Sequence, residues 1–214
     1  MVDSIINQKR LFLEFFIIYF LIPLIITMQY RELLLFPFLL IIFLISIILL
    51  KLNKNFNFRK LLKKIVWKTV VKSFLSFFAF IFIYILFLDK DLLFQLPANN
   101  PRIWVLAMII YPVVSVIPQE FIFRVLFYQR YAKLFSFEKN YIILINSIAF
   151  GFAHIVFINF HAIILSILAS TIFSIVYLRN SFFTCIIVHS LAGQLIFTLG
   201  LEKYFFSGTI GLIN

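Results

Sequence analysis

Long apolar stretches, separated by short polar segments, set the pattern of hydrophobic and polar positions along this chain. Seven of these stretches reach the roughly 17–25 residues that an α-helix needs to cross a hydrocarbon core of roughly 30 Å. They cover residues 11–28, 33–50, 69–88, 104–127, 141–158, 162–178 and 181–199. Backbone amides in lipid must find their hydrogen-bond partners within the segment, so stretches this long and apolar are expected to be helices. The pattern therefore predicts an all-α fold, a polytopic transmembrane helical bundle of about seven spans.

The composition excludes a water-soluble enzyme. Hydrophobic residues make up 64% of the 214 residues, against roughly 45–50% in a soluble domain. Charged residues fall to 13%, which is about half of their usual share. The 5 glycines, 6 prolines and 1 cysteine argue against a disordered, collagen-like or disulfide-linked chain. Because the pattern contains no repeat and no soluble linker, we predict a single membrane domain over residues 1–214.

The net charge of +11 indicates an anionic partner, and its placement along the chain separates nucleic acid from lipid. A run of eight bases without one acid lies between the second and third predicted spans: Lys51, Lys54, Arg59, Lys60, Lys63, Lys64, Lys68 and Lys72. Such a run beside apolar spans is typical of a juxtamembrane loop that faces anionic headgroups. We therefore predict anionic lipid at the basic loop Lys51 to Lys72, and no nucleic-acid partner.

Lysine and arginine also orient the chain, because positively charged loops tend to stay on the cytoplasmic side. With the N-terminus inside, fourteen bases fall in cytoplasmic segments and four in outer segments. The four outer bases are Arg31, Lys90, Arg102 and Lys203, and they are matched in number by the four outer acids Glu32, Asp89, Asp91 and Glu202. We predict a multi-pass protein of the cytoplasmic membrane with its N-terminus inside.

Few ionisable residues lie within the predicted spans, and each is a candidate for function because its insertion costs about 2.5–3.5 kcal/mol. They are Glu14, Glu120, Arg124, His154 and His189, with His161 at a span boundary. Glu14 is near the cytoplasmic end of the first span, where its side chain is expected to reach the headgroups. Glu120 and Arg124 are four residues apart on one helical face and are expected to pair.

A carboxylate and two imidazoles on three different predicted helices favour the activation of water. Glu120 is the candidate general base, while His154 and His189 orient the water or stabilise an oxyanion. Hydrolysis of an amide bond is the reaction that such a set supports. The same three side chains also form a chemically reasonable set of zinc ligands. Since no His-Glu-x-x-His pattern occurs, we predict no metal and no cofactor.

Three short motifs follow one another on long apolar segments. They are Gln119-Glu120-Phe121-Ile122-Phe123-Arg124, Phe150-Gly151-Phe152-Ala153-His154 and His189-Ser190-Leu191-Ala192-Gly193. Their order and spacing resemble the patterns Glu-Glu-x-x-x-Arg, Phe-x-x-x-His and His-x-x-x-Asn of the CPBP family of intramembrane glutamic proteases. That family includes type II CAAX prenyl endopeptidases and bacterial bacteriocin-processing or self-immunity proteins. The resemblance covers residues 104–200, which form the predicted protease-like core.

The resemblance implies a helical membrane protease in which a glutamate activates water, histidines position it, and an arginine orients the glutamate. The catalytic candidates are then Glu120, His154, His189 and Arg124. The candidate substrate- or water-binding positions are Gln119, Phe150 and Gly193.

Two positions depart from the family pattern and define the alternatives. Gln119 replaces the first glutamate, and an amide cannot act as a general base; Gly193 replaces the asparagine. The main hypothesis is an intramembrane endopeptidase that cleaves a membrane-associated or prenylated peptide, with Glu120 as the base. The alternative is a catalytically inactive pseudoprotease that acts as a membrane peptide-binding or immunity protein. A small transporter or proton relay is the third hypothesis, although the spans show no paired half-repeats.

Overall fold

The computed structural model describes residues 2–29, 31–53, 56–135 and 138–205, which are mostly helical and contain no strand. The α-helices are α1 (Val2–Phe16), α2 (Ile22–Gln29), α3 (Arg31–Lys51), α4 (Trp67–Leu88), α5 (Gln95–Asn99), α6 (Pro101–Tyr111), α7 (Ile117–Glu120), α8 (Lys139–Ala153), α9 (Phe160–Arg179) and α10 (Phe182–Leu199). The π-helical segments are Ile17–Leu21, Pro112–Val116 and Phe121–Tyr131. Short 3-10 helices cover Phe58–Leu61, Lys90–Leu92, Ala132–Leu134, His154–Phe157 and Glu202–Tyr204.

Within the described part of the chain, 6 helical stretches are long and apolar enough to cross a membrane, and one further apolar helix is shorter. In chain order these seven spans are Gln8–Met28, Leu35–Lys51 (the shorter one), Trp67–Leu88, Pro101–Leu134, Lys139–Phe157, Phe160–Arg179 and Phe182–Leu199. They are called the first to the seventh span below. Their number and bounds confirm the predicted all-α bundle and a multi-pass membrane protein.

The fourth span differs most from its predicted bounds, because it continues to Leu134 beyond the apolar stretch. Its extension carries Arg130, whose guanidinium donates to Glu14 Oε1 at 2.6 Å and to Oε2 at 2.8 Å. Tyr131 donates to the same carboxylate. Because the first span supplies this counter-charge, the helix can carry an arginine near its end. Glu14, expected to reach the headgroups, thus joins the first span to the fourth.

A hydrogen bond that replaces one lost at Pro112 connects the fourth span to the seventh. Pro112 has no N–H to offer the carbonyl of Met108, four residues earlier. That carbonyl instead accepts a hydrogen bond from Gln194 Nε2 of the seventh span at 2.9 Å. A π-helical segment begins at Pro112 and a second one follows Glu120, so the winding of this span changes on both sides of α7.

The seventh span is the most buried of the 6 long spans, with 61% of its apolar window inside the protein. Its helix begins where Ser181 Oγ accepts a hydrogen bond from the N–H of Thr184 at 3.1 Å, as an N-cap does. It ends at Gly200, whose φ of 113° lies in the left-handed region that favours glycine. These ends fix a central helix whose middle carries His189.

Two groups of buried apolar side chains hold the spans together. One includes Phe127 and Phe150 and joins the first, fourth and fifth spans. The other includes Phe77 and Phe173 and joins the third, sixth and seventh spans. The rings of Phe150 and Phe173 lie 6.3 Å apart, so the two groups meet at the fifth and sixth spans, beside the predicted site.

The basic loop Lys51 to Lys72 is exposed. Of its eight bases, Lys54 lies outside the described residues and the other seven are all exposed. The 3-10 helix Phe58–Leu61 begins at Asn57, whose Oδ1 accepts a hydrogen bond from the N–H of Arg59 at 2.9 Å. Exposure is what binding to lipid headgroups requires, and the anionic-lipid partner stays a prediction.

Candidate active site

Glu120 and Arg124 form the buried ion pair that their spacing predicts. Glu120 ends α7, and Arg124 lies in the π-helical segment that follows. Arg124 Nε is 3.3 Å from Glu120 Oε2, and neither side chain has any exposed surface. Two opposite charges at this depth are tolerated only when each has further compensating partners. Their other contacts therefore decide the character of the site.

Polar groups of the fifth and sixth spans hold Arg124. Its guanidinium donates to Asn146 Oδ1 and, at 3.0 Å, to Ser170 Oγ. The Asn146 amide is fixed in turn, because its Nδ2 donates to the Phe123 carbonyl at 2.6 Å. Ser174 Oγ donates to Asn146 Oδ1 at 3.0 Å. The arginine is thus a positive charge that three spans hold in one position.

The seventh span supplies partners for both oxygens of the Glu120 carboxylate. His189 Nδ1 donates to Oε1 at 2.8 Å, and the Cys185 thiol donates to Oε2 at 2.9 Å. The proton of this bond is on Nδ1 of His189, because a carboxylate oxygen can only accept, and this tautomer has Nε2 as its acceptor nitrogen. The Phe173 ring stacks on the imidazole with centroids 4.3 Å apart. The carboxylate and the ring beside it are therefore held in one orientation.

His189 lies on the wall of a cavity of 850 Å³. The walls are mostly aliphatic and aromatic, and the polar side chains among them are Ser76, Tyr111, Ser115, Gln119, His154, Ser166, Thr171 and His189. The volume lies within the roughly 300–1,000 Å³ that is usual for ligand pockets. Glu120 has no exposed surface and lies behind the imidazole. A molecule in the cavity therefore contacts His189 and not Glu120.

Gln119 lies on the same cavity wall, one residue before the buried glutamate. Its Nε2 donates to Ser115 Oγ at 2.7 Å. Its Oε1 is buried and has no hydrogen-bond partner among the residues that the structure describes. With Tyr111 and Ser115 it forms a polar stripe at intervals of four residues along the fourth span. The amide oxygen is therefore an unused acceptor beside the cavity wall.

His154 reaches the cavity from the end of the fifth span. Its Nδ1 donates to the Phe150 carbonyl at 2.8 Å, so its Nε2 is an acceptor. The Phe150 ring contacts both imidazoles, with centroids 4.7 Å from His154 and 5.7 Å from His189. The Arg124 guanidinium lies 5.2 Å from the centre of the same ring. The structure thus brings Phe150 into the site, in contact with both imidazoles and with the Arg124 guanidinium.

Gly193 makes room for a tyrosine of the fourth span. A Cβ at position 193 would collide with the ring of Tyr111. With glycine there, Tyr111 Oη lies 3.1 Å from His189 Nε2, and its ring packs edge-on against Phe197 at 5.2 Å. The position that lacks the family's asparagine therefore adjoins a phenol that contacts the imidazole.

Several neutral polar residues of the site were not predicted from the sequence, because the candidates were ionisable side chains within the spans and the three motifs. They are Tyr111, Asn146, Ser170, Ser174 and Cys185. Each lies in an otherwise apolar span, where an unpaired donor or acceptor is costly. That cost is the signal that could have found them, most clearly for Asn146, whose amide must have several partners.

Metal ligands are not grouped in the described part of the chain. Among residues 2–29, 31–53, 56–135 and 138–205, no set of 3 or more His, Cys, Asp or Glu side chains is arranged to hold a metal ion. The zinc alternative requires Glu120, His154 and His189 around one ion, whereas Phe150 contacts both imidazoles. That the protein uses no cofactor remains a prediction.

The middle of the chain matches a known protein family. Residues 101–193 match the family described as type II CAAX prenyl endopeptidase Rce1-like. The matched range contains all three motifs, and it confirms the resemblance to the CPBP family of intramembrane proteases that the motifs predicted. The match supports a function of the same kind as that of the CAAX-type intramembrane proteases. No curated protein and no solved structure matches the chain.

Proposed function

We propose that this protein is an intramembrane endopeptidase that hydrolyses a peptide bond of a membrane-associated or prenylated peptide in the cavity beside His189. The observation that carries the proposal is the hydrogen-bonded pair of Glu120 and His189, whose imidazole lines an apolar cavity. A carboxylate that holds an imidazole in one tautomer is how many hydrolases make histidine a general base. The family match over residues 101–193 supports the same class of reaction.

In this proposal Glu120 activates water through His189. The carboxylate has no exposed surface, so a water in the cavity meets His189 Nε2. That nitrogen takes a proton from the water while the water oxygen bonds to the carbonyl carbon, and the C=O electron pair moves onto the carbonyl oxygen. Glu120 Oε1, 2.8 Å from Nδ1, stabilises the imidazolium. When the intermediate collapses, the C–N bond breaks and His189 returns the proton to the leaving amine.

Arg124 acts as a positioning residue. Its charge compensates Glu120, which would otherwise be an uncompensated charge in the interior, at a cost of several kcal/mol. Asn146 and Ser170 fix the guanidinium from the other side, so the carboxylate keeps the orientation that His189 requires.

Gln119 and His154 provide acceptors toward the space where the peptide would lie. Gln119 Oε1 and His154 Nε2 can accept hydrogen bonds from the attacking water or from a peptide N–H. Phe150 contacts both imidazoles, and Gly193 leaves the space that the Tyr111 ring fills next to His189. In this proposal these four residues orient the reactants, while the proton moves at His189.

The apolar walls of the cavity suit an apolar peptide segment or a prenyl group. The charge bias along the chain supports a place in the cytoplasmic membrane with the N-terminus inside. In that orientation the exposed bases of the loop Lys51 to Lys72 face anionic headgroups, and we propose lipid as their partner.

The proposal is tested by comparing the membrane and secreted peptides of cells that express wild-type protein, Glu120→Gln or Gln119→Glu at matched levels. We expect products with the wild-type protein that are absent with Glu120→Gln, because a neutral amide stabilises the imidazolium far less than a carboxylate. Size-exclusion profiles of the solubilised proteins control for folding.

A different result would contradict the proposal and favour the pseudoprotease. If wild type and a folded Glu120→Gln yield the same peptides, while only Gln119→Glu yields new ones, the natural protein binds peptides without cleaving them.

A further inference from the structure

We infer that Tyr111 is a further catalytic residue, whose phenol donates a hydrogen bond to the oxyanion formed from the scissile carbonyl. This inference rests on the function proposed above. It is motivated by the position of the hydroxyl, 3.1 Å from His189 Nε2 on the wall of the cavity. Peptide hydrolysis at His189 would therefore place the developing negative charge beside this phenol.

The phenol is held in place from the seventh span. The ring fills the space that a side chain at Gly193 would need. Its edge packs against Phe197 at a centroid distance of 5.2 Å. Tyr111 is also the last residue of α6, directly before the π-helical segment at Pro112, and the carbonyl of Met108 in the same helix is tied to Gln194. Ring and backbone are thus both fixed against the helix that carries His189, as a preorganised donor requires.

The protonation states make the phenol available when it is needed. In the resting site His189 Nδ1 donates to Glu120, so Nε2 accepts and the Tyr111 hydroxyl donates to it. The acceptor nitrogen of a neutral imidazole has one lone pair, so the attacking water displaces the phenol O–H when it donates to Nε2. The phenol O–H is then free to turn to the oxyanion that forms in the same step. Proton uptake by His189 and stabilisation of the oxyanion are coupled through this one hydrogen bond.

The amide donor of the polar stripe is already engaged. Gln119 Nε2 donates to Ser115 Oγ at 2.7 Å, which keeps the amide donor on its own helix. Ser115 lies one turn beyond Tyr111 along the fourth span, and its hydroxyl is that acceptor. Within the described part of this stripe, Tyr111 is the residue whose donor contacts His189.

The test compares Tyr111→Phe with Tyr84→Phe in the purified full chain. Tyr84 is a matched control, because its hydroxyl also contacts a histidine, with Oη 2.6 Å from His161 Nδ1, but at a place outside the cavity. The probe is a quenched fluorogenic prenylated peptide that ends in a CAAX sequence, presented in lipid vesicles. We expect Tyr111→Phe to lower kcat by about 100-fold with KM unchanged, as for the loss of one oxyanion donor. Tyr84→Phe should keep the wild-type kcat.

A second variant keeps the inference testable if Tyr111→Phe fails to fold. Gly193→Ala retains the hydroxyl but forces the Tyr111 ring away from its place, and it should also lower kcat. Wild-type kcat in a folded Tyr111→Phe or Gly193→Ala would overturn the inference, as would a rise in KM alone. His189→Gln in the same assay separates the two proposals. If it equals wild type, the proposed function fails; if it alone loses activity, only the role of Tyr111 fails.

Discussion

The fourth span takes part in two glutamate–arginine pairs, and only one of them belongs to the candidate site. At the end of the span, both oxygens of Glu14 accept from Arg130, and the two side chains are 19% and 21% exposed. In its middle, Arg124 meets one oxygen of Glu120 at 3.3 Å, and both side chains are completely buried. The residue types are the same, but the number of oxygens that each arginine occupies differs.

This difference decides whether a third span can contribute a group to the pair. Arg130 and Tyr131 together use the Glu14 carboxylate, which closes the cluster on itself. Arg124 instead donates its other N–H groups to Asn146 and to Ser170. Glu120 Oε1 thereby remains for the imidazole of the seventh span. A buried pair becomes a candidate for chemistry when neighbouring spans take over part of its hydrogen bonding.

Removing the arginine of the buried pair is expected to have the largest effect. Arg124→Met leaves Glu120 as an uncompensated buried charge and removes a donor from Asn146. The free energy of unfolding should therefore fall by about 3–5 kcal/mol. The thermal unfolding midpoint of the purified protein in detergent measures this loss. Arg130→Met is the matched control and should lower the midpoint less, because Glu14 is partly exposed. Equal decreases would show that the two pairs do not differ in the way we describe.

The second largest effect is expected at His189, and it should appear in the rate. His189→Gln keeps a donor for Glu120 but removes the proton acceptor, so kcat should fall by about 10²–10⁴-fold while the protein remains folded. Cleavage of the fluorogenic prenylated peptide by the purified chain measures kcat. His161→Gln, which changes an imidazole outside the cavity, should leave kcat unchanged. A His189→Gln protein as active as wild type would exclude His189 as the base.

A smaller effect is expected from removal of the Gln119 amide oxygen. Gln119→Leu removes the Oε1 acceptor on the cavity wall, and the loss of one hydrogen bond of about 1 kcal/mol corresponds to a roughly fivefold lower kcat. The same peptide assay measures it. Ser115→Ala serves as the comparison, because it removes the partner of Nε2 and leaves Oε1 in place. If Ser115→Ala reduces kcat more than Gln119→Leu, the donor side of the amide matters and the acceptor side does not.

The smallest effect is expected at the partly exposed pair. Glu14→Gln should lower the stability by no more than about 1 kcal/mol and leave kcat unchanged, since this cluster lies at the end of the span. Unfolding midpoints and cleavage rates of the same preparation measure both quantities. Loss of cleavage in a folded Glu14→Gln protein would mean that the end of the fourth span is coupled to the site.

Much of the fold followed from local features of the sequence. The length of each apolar stretch predicted the spans, because a helix must cover a fixed thickness of hydrocarbon. The spacing of Glu120 and Arg124 predicted their ion pair, because residues four apart share a helical face. The continuation of the fourth span to Leu134 was not predicted, since it depends on Glu14, a residue more than a hundred positions away.

Less of the candidate site followed from the sequence. The motifs indicated which histidines to consider, and both imidazoles do line one cavity. The neutral partners Tyr111, Asn146 and Cys185 were missed, because an isolated polar residue in an apolar span does not reveal which neighbour it will meet. That His189 and not Glu120 lies on the cavity wall was also missed, since exposure to a cavity is a property of the packed spans and not of the motif.

The sequence by itself determined that this protein is a multi-pass helical bundle with a protease-like segment, because hydrophobic length and helical spacing act along one chain segment at a time. The tertiary structure alone decided which atoms face the cavity. His189 lies on the wall and Glu120 behind it, and the phenol of Tyr111 occupies the space that Gly193 leaves open. These relations join residues from separate spans, and they are fixed by how side chains fill the space between helices.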